Sequence, residues 1–183
     1  MKHKSTLYPI LLFLIAAFTA FVLTIDRESE GYEVLHVADG DSFSLIKGGK
    51  ELEIRLYGID CPERTQPFHN KAKKFTGKML QSGEIRIKTV DRDRYGRTVA
   101  WVYVDSLSVN EALVRHGLAW HYKHHSADGN LARLEEDAKA RHVGLWSDPN
   151  STPPWQFRKR KKPGVVIPRK KSAVSSSATH QYL

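Results

Sequence analysis

The chain has 183 residues, enough for one domain with a real core, and carries 29 Lys/Arg against 20 Asp/Glu for a net charge of +9. That charge is unevenly placed: every acid lies between positions 26 and 154, the stretch from 155 onward holds 8 basic residues, and the first 25 hold 2. The middle therefore keeps 19 basic residues against 20 acidic ones, which excludes bulk charge as an argument that the folded part binds nucleic acid. Cys61 is the only cysteine, which excludes an intrachain disulfide and a cysteine-based zinc site.

Lys2, His3 and Lys4 precede an apolar run from Leu7 to Ile25, interrupted by Tyr8, Pro9, Thr19 and Thr24 and closed by Asp26-Arg27-Glu28. Residues 1–25 thus read as an export signal or a membrane anchor. The run exceeds a usual signal core and no small-x-small site follows it, so an uncleaved anchor is favoured, with the domain outside the cytoplasm; cleavage would make the protein secreted.

From Tyr32 the pattern has period two. Tyr32 to Val37, Ser42 to Lys47 and Glu51 to Ile59 read as strands, joined at Asp39-Gly40 and Gly48-Gly49, dipeptides suited to tight hairpins. Asn70 is expected to cap a helix with Ala72, Phe75 and Met79 on one face, ending near Gly83. Two more strands follow, Ile85 to Val90 and Val99 to Val104, the second apolar enough to suggest burial on both faces. Ser108-Val109-Asn110-Glu111 is a capping box opening a helix that stops at Gly117, and a third helix over about Ala127 to His142 presents Leu131, Leu134 and Ala138 inward. Pro149, Pro153 and Pro154 mark the end of the domain, taken as 31–148, and the basic segment 149–183 is expected to be disordered. The order predicts an α+β fold: a five-stranded OB barrel with three α-helices.

Chemistry concentrates in Arg55-Leu56-Tyr57-Gly58-Ile59-Asp60-Cys61-Pro62-Glu63. Strand alternation sends Ile54 and Leu56 inward and presents Arg55 outward, while Gly58 and Pro62 bend the chain so that Asp60 and Glu63 aim at a common point. Two acids and an arginine suggest a metal ion and a phosphate. Asp41 of Asp39-Gly40-Asp41-Ser42 is able to share a cation with Asp60 if the hairpin lies beside it, and anionic oxygens without thiol or imidazole suit Ca²⁺ better than Zn²⁺. For Arg55 and Arg97 the plain alternative is a surface salt bridge to Glu53 or Asp93. His121-x-x-His124-His125 reads as solvated histidines, since no third metal ligand accompanies them.

These stretches, with Tyr95-Gly96-Arg97 and Val109-Asn110-Glu111-Ala112-Leu113-Val114, stand in the order and spacing of the staphylococcal nuclease (thermonuclease) family, which the chain resembles from about Glu33 to Asp148. The resemblance implies an OB barrel with three helices and Ca²⁺-dependent hydrolysis of DNA and RNA that leaves 3′-phosphates. It implies Asp41, Asp60 and the main-chain carbonyl of Cys61 as metal ligands, Arg55 and Arg97 as the grip on the scissile phosphate, and Glu63 as general base. Thr often stands in the family where this chain has Cys61, a change to which a backbone oxygen is indifferent. Tyr95, Trp120 and Tyr122 map onto nucleotide-stacking aromatics. The expected function is an exported Ca²⁺-dependent endonuclease with little sequence preference, acting as a monomer with DNA and RNA as substrates. The alternatives are a noncatalytic OB-type nucleic-acid-binding module and a surface adhesion or scaffold domain. The basic tail is open to a polyanion contact or to plain solvation.

Overall fold

The computed structural model describes residues 10–19 and 31–161. Residues 10–19 are helical (α1) and exposed; no helix of the described residues is long and apolar enough to cross a membrane. The rest of the apolar run from Leu7 to Ile25, and residues 162–183 of the tail, lie outside the described residues.

The folded part mixes a sheet with helices. β1 (Glu33–Val37), β2 (Ser42–Lys47) and β3 (Lys50–Leu56) form an antiparallel meander; Ser42 pairs with Arg55 and Lys47 with Lys50, the register set by the Gly48-Gly49 turn. β5 (Ile85–Arg92) and β6 (Thr98–Val104) form a second hairpin, and β6 lies parallel to β3, with Arg55 opposite Val99. The ladder order is β1-β2-β3-β6-β5, with β7 (Leu107–Ser108) added beside β6. This is an open six-stranded sheet among the described residues, five strands in the path and β7 off it, where the sequence reading expected a five-stranded barrel. A two-stranded ladder, β4 (Ile59–Asp60) with β8 (Trp120–His121), stands apart from it.

The core lies under the sheet. Leu45, Ile54, Leu56, Ala100, Val102 and Val104 pack against Ala72 and Leu80 of α2 (His69–Leu80), Leu113 and Val114 of α3 (Val109–Arg115), and Leu131 and Leu134 of α4 (Gly129–Ala140). Each such aliphatic side chain contributes about 1.5–3 kcal/mol by leaving water. β6 differs from the expectation of two buried faces: Thr98, Ala100, Val102 and Val104 are buried, but Val99, Trp101 and Tyr103 are only partly covered, because helices occupy one side of the strand.

Local signals explain the helix ends. The Ser108 hydroxyl accepts from Glu111 N–H at 3.2 Å, and Asp128 caps α4 by accepting from Leu131 N–H at 2.8 Å. α2 starts earlier than Asn70: Phe68, at φ 68°, precedes it, and the first residue His69 is drawn inward to the Pro62 carbonyl, 3.0 Å from its Nδ1. The largest departure is in the tail, where Pro154–Lys161 form α5. Pro154 occupies the first helical position, where its missing N–H costs nothing, and the Pro153 carbonyl accepts from Gln156 and Phe157 N–H at 3.0 Å.

Candidate active site

A pocket of about 780 Å³ opens at the ends of β3, β4 and the β5–β6 hairpin and is lined by Asp41, Arg55, Asp60, Cys61, Glu63, Tyr95, Arg97, Tyr122 and Arg158, among others. Its floor is set by hydrogen bonds between segments distant in sequence. Asp41, in the turn before β2, is 4 % exposed; its main-chain carbonyl accepts from Leu56 N–H at 2.8 Å and its Oδ2 from Cys61 N–H at 2.5 Å. Gly40 lets this turn approach, since a Cβ there would lie 2.7 Å from both Cys61 Sγ and Ala72 Cβ. Gly58, at φ +72°, reverses the chain between β3 and β4, and its carbonyl accepts from Tyr122 N–H at 2.8 Å.

Arg55 is not presented to solvent as strand alternation suggested: its side chain is 17 % exposed and lies between two carboxylates. It pairs with Asp41 Oδ1 and donates to Asp60 Oδ1 at 2.8 Å and to the Ile59 carbonyl at 3.1 Å. Glu53 is not its partner. Arg97 does meet the acid named for it: its Nε and Nη2 reach Asp93 Oδ2 at 2.8 and 2.7 Å, and its Nη1 donates to Ser42 Oγ at 3.2 Å. The two guanidiniums thus line one pocket, each fixed by hydrogen-bonded carboxylates behind it. Glu63 sits on a turn closed by Gln66, whose Oε1 accepts from Glu63 N–H at 2.9 Å while Gln66 N–H donates to the Glu63 carbonyl at 2.7 Å.

The acids at the floor perturb one another. Burial works to raise the Asp41 carboxyl, but the Arg55 charge and hydrogen bonds from Asp39, Arg55 and Cys61 hold it below the ordinary carboxylate range. Burial and the Asp41 charge push Asp39 up to about 7, and burial followed by Asp41 raises Asp60 against the pull of Arg55 and Arg158. Burial likewise pushes the Cys61 thiol well up, so it stays protonated. Around the pocket, the acids Asp39, Asp41, Asp60, Glu63, Asp91 and Asp93 outnumber the arginines Arg55, Arg94, Arg97 and Arg158.

A hard divalent cation fits that excess. Asp41 and Asp60 are buried carboxylates held around a common guanidinium, and the neighbouring thiol is neutral and soft. Among the described residues no three His, Cys, Asp or Glu side chains form a ready ligand shell, so the protein's share would be Asp41, Asp60 and main-chain oxygen such as the Cys61 carbonyl.

The aromatic residues separate. Tyr95 stands on the pocket rim, 68 % exposed, with the Arg94 and Arg97 guanidiniums 4.9 and 5.7 Å from its ring centre. Tyr122 lines the pocket, but Trp155 of α5 stacks on it at 5.2 Å and 23°. Trp120 departs from the stacking expectation: it is 3 % exposed and packs edge-on to Trp146 at 5.8 Å, because β8 is covered by β4 on one side and α4 on the other. His121 departs as well, being buried where a solvated side chain was expected, while His124 and His125 are exposed.

Residues 53–148 match the family model described as "Staphylococcal nuclease homologue". The chain belongs to the staphylococcal nuclease family. It is 37 % identical over 137 residues to an uncharacterized endonuclease of Haemophilus influenzae, covering 74 % of this chain and 77 % of that one. Protein ParB of Escherichia coli is 36 % identical over 69 % of this chain and 78 % of its own. A micrococcal nuclease of Shigella flexneri is 30 % identical over 71 % of this chain and 81 % of its own.

Arg158 and Trp155 of α5 were not singled out from the sequence, because a basic, proline-led segment carries no periodic signal. Arg158 nevertheless donates to Glu63 Oε1 at 2.6 Å and to Asp60 Oδ2 at 2.9 Å. The family match ends before α5 begins.

Proposed function

We propose that the protein is a Ca²⁺-dependent endonuclease that hydrolyses phosphodiesters of DNA and RNA with little sequence preference, outside the cytoplasm, and leaves 3′-phosphates. The single observation that supports this most is the convergence of Asp41, Asp60, Glu63, Arg55 and Arg97 on one pocket from separate parts of the chain. A nucleic-acid binder without chemistry has no use for a carboxylate base beside a buried acid pair. The strand order is read as an OB-type barrel opened between β1 and β5. Export, by an anchor or a cleaved signal within residues 1–25, rests on the apolar run. The nuclease names of its relatives support the reaction class.

Attack of water on the phosphorus builds negative charge on the nonbridging oxygens. Arg55 and Arg97 meet that charge with planar forks that stay protonated, and because each is already oriented by a carboxylate they need little reorganisation when charge develops. Ca²⁺ bound by Asp41, Asp60 and the Cys61 carbonyl would supply further electrostatic stabilisation of the phosphate. Glu63, held by Gln66, accepts the proton of the attacking water, a contribution of about 10²–10⁴-fold. Tyr95 on the rim offers an exposed face to a base.

The test is digestion of plasmid and of single-stranded RNA by the full chain, with Ca²⁺ and with chelator, followed by analysis of the product ends. Cleavage only with Ca²⁺ and phosphate on the 3′ ends is the expected result; cleavage undiminished by chelator, or no cleavage in either, contradicts the reading.

A further inference from the structure

α5 is fixed against the site by contacts that do not involve the reacting groups. Pro154 is buried, Gln66 Nε2 donates to the Thr152 carbonyl at 2.7 Å, and Trp155 stacks on Tyr122. The helix is thus part of the pocket wall. From this wall Arg158 reaches the pocket with a side chain 43 % exposed, against 17 % for Arg55 and 28 % for Arg97. Of the three guanidiniums it is the one with most room to turn.

Its present partners are the two carboxylates the reaction needs most. Glu63 accepts from Arg158 Nη1 at 2.6 Å, and Asp60 from Nη2 at 2.9 Å and from Nη1 at 3.4 Å. A proton on Glu63 removes an anionic partner of Arg158, and a cation at Asp60 repels its charge, so its hold on both carboxylates weakens when the site is loaded. Its charge then needs another anion. Arg55 and Arg97, the less exposed pair, are the guanidiniums assigned to the scissile phosphate; Arg158, more exposed and carried on the pocket wall, is placed for an adjacent one. Lys159 and Arg160, both exposed, extend the positive charge along α5 away from the acidic floor.

We propose that Arg158, from the α5 wall of the pocket, binds a backbone phosphate of the polynucleotide next to the scissile one. The inference rests on the nuclease reading above. Within it, Arg158 is a substrate-binding residue contributed from outside the part of the chain that matches the family.

The test uses the full chain with Ca²⁺ in the Glu63→Gln background, where the proton acceptor is gone and cleavage is slowed about 10²-fold or more, with the probe checked on a gel to be intact at the end of each titration. Fluorescein-labelled single-stranded DNA is titrated over a salt series and followed by anisotropy. Adding Arg158→Ala is expected to weaken binding about tenfold, as loss of one charge-assisted contact does, and to lower the slope of log K against log salt by about 0.7. Arg158→Lys should keep the slope while losing part of the affinity. In otherwise unmodified enzyme, Arg158→Ala should raise KM and leave kcat within about twofold. Unchanged or tighter DNA binding by Arg158→Ala, the mark of a guanidinium that only plugs the cleft, overturns the inference. So does a fall in kcat at constant KM, the mark of a group that only sets Glu63. Failure of the unmodified chain to cut DNA would sink the nuclease reading instead, and the same titration run on that chain still decides Arg158.

Discussion

Asn110 shows how much one side chain holds together. It is fully buried; its Nδ2 donates to the Tyr57 carbonyl at 2.9 Å and the Ala100 carbonyl at 3.3 Å, and its Oδ1 accepts from Val102 N–H at 3.0 Å. It ties α3 to the chain just past the end of β3 and to the middle of β6. Asn110→Ala leaves Val102 N–H and the Tyr57 carbonyl without that partner and should cost about 2–4 kcal/mol, read as a drop in denaturant midpoint. His121 offers a pH test. It is buried beside Glu135, Lys123 and Asp128, and burial first, then Lys123, hold its pKa below the ordinary 6.5 against the pull of Glu135 and Asp128. The unfolded chain therefore takes up a proton near 6.5 and the folded chain only at lower pH, so this residue's contribution to stability falls as pH drops through the window beneath 6.5. Thermal unfolding of the wild type should lose more midpoint temperature across that window than His121→Gln does; equal losses would contradict the assignment. At this scale the motif residues were legible, since Arg55, Asp60 and Glu63 come from one short stretch. What Arg55 touches was not, because alternation tells which face a side chain takes and says nothing of the carboxylates that close over it.

Among the elements, the meander, the β5–β6 hairpin and the helices α2, α3 and α4 follow from period, caps and turn dipeptides in the sequence. The hairpin turn at Asp39-Gly40 is more than a connection. Its Gly40 packs against α2 and its carbonyl accepts from Thr76 Oγ1 at 2.6 Å, so Gly40→Ala forces a Cβ into Ala72 and Cys61 and moves Asp41. The expected outcome is a loss of about 1–3 kcal/mol in stability together with weaker Ca²⁺ binding by calorimetry; unchanged Ca²⁺ affinity would contradict the placement of Asp41. β8 and α5 were harder to read. Two residues of ladder in β8 carry no pattern, and the burial of Trp120 and His121 comes from α4 packing over them. α5 has no apolar stripe: its contacts include one buried proline, one stacked tryptophan, the Arg158 pairs with Asp60 and Glu63 and, just before it, a side-chain bond from Gln66, none of which is visible without the fold.

For the whole molecule, the division of charge acquires a spatial meaning. The folded middle is nearly neutral and gathers acids at the pocket floor, while the first basic residue of the tail, Arg158, stands in the pocket wall and Lys159 and Arg160 follow it, exposed, along α5. Removing residues 154–183 should raise KM for long DNA, more at low salt than at high, because the polyanion contact that is lost is strongest where salt screens it least. An unchanged KM at every salt concentration would show that the tail has no part in substrate binding. The domain boundary expected at 148 lies before this wall, so a fragment ending there would lack Arg158 as well as the stack on Tyr122.

The central claim is that these separated residues act as one hydrolytic site. It is tested most directly by measuring kcat for DNA cleavage in saturating Ca²⁺ by the full chain and by Glu63→Gln and Arg97→Ala, with circular dichroism to confirm folding. Each folded variant should lose about 10²-fold or more in kcat. Variants that remain folded and cleave at the unmodified rate would contradict the account.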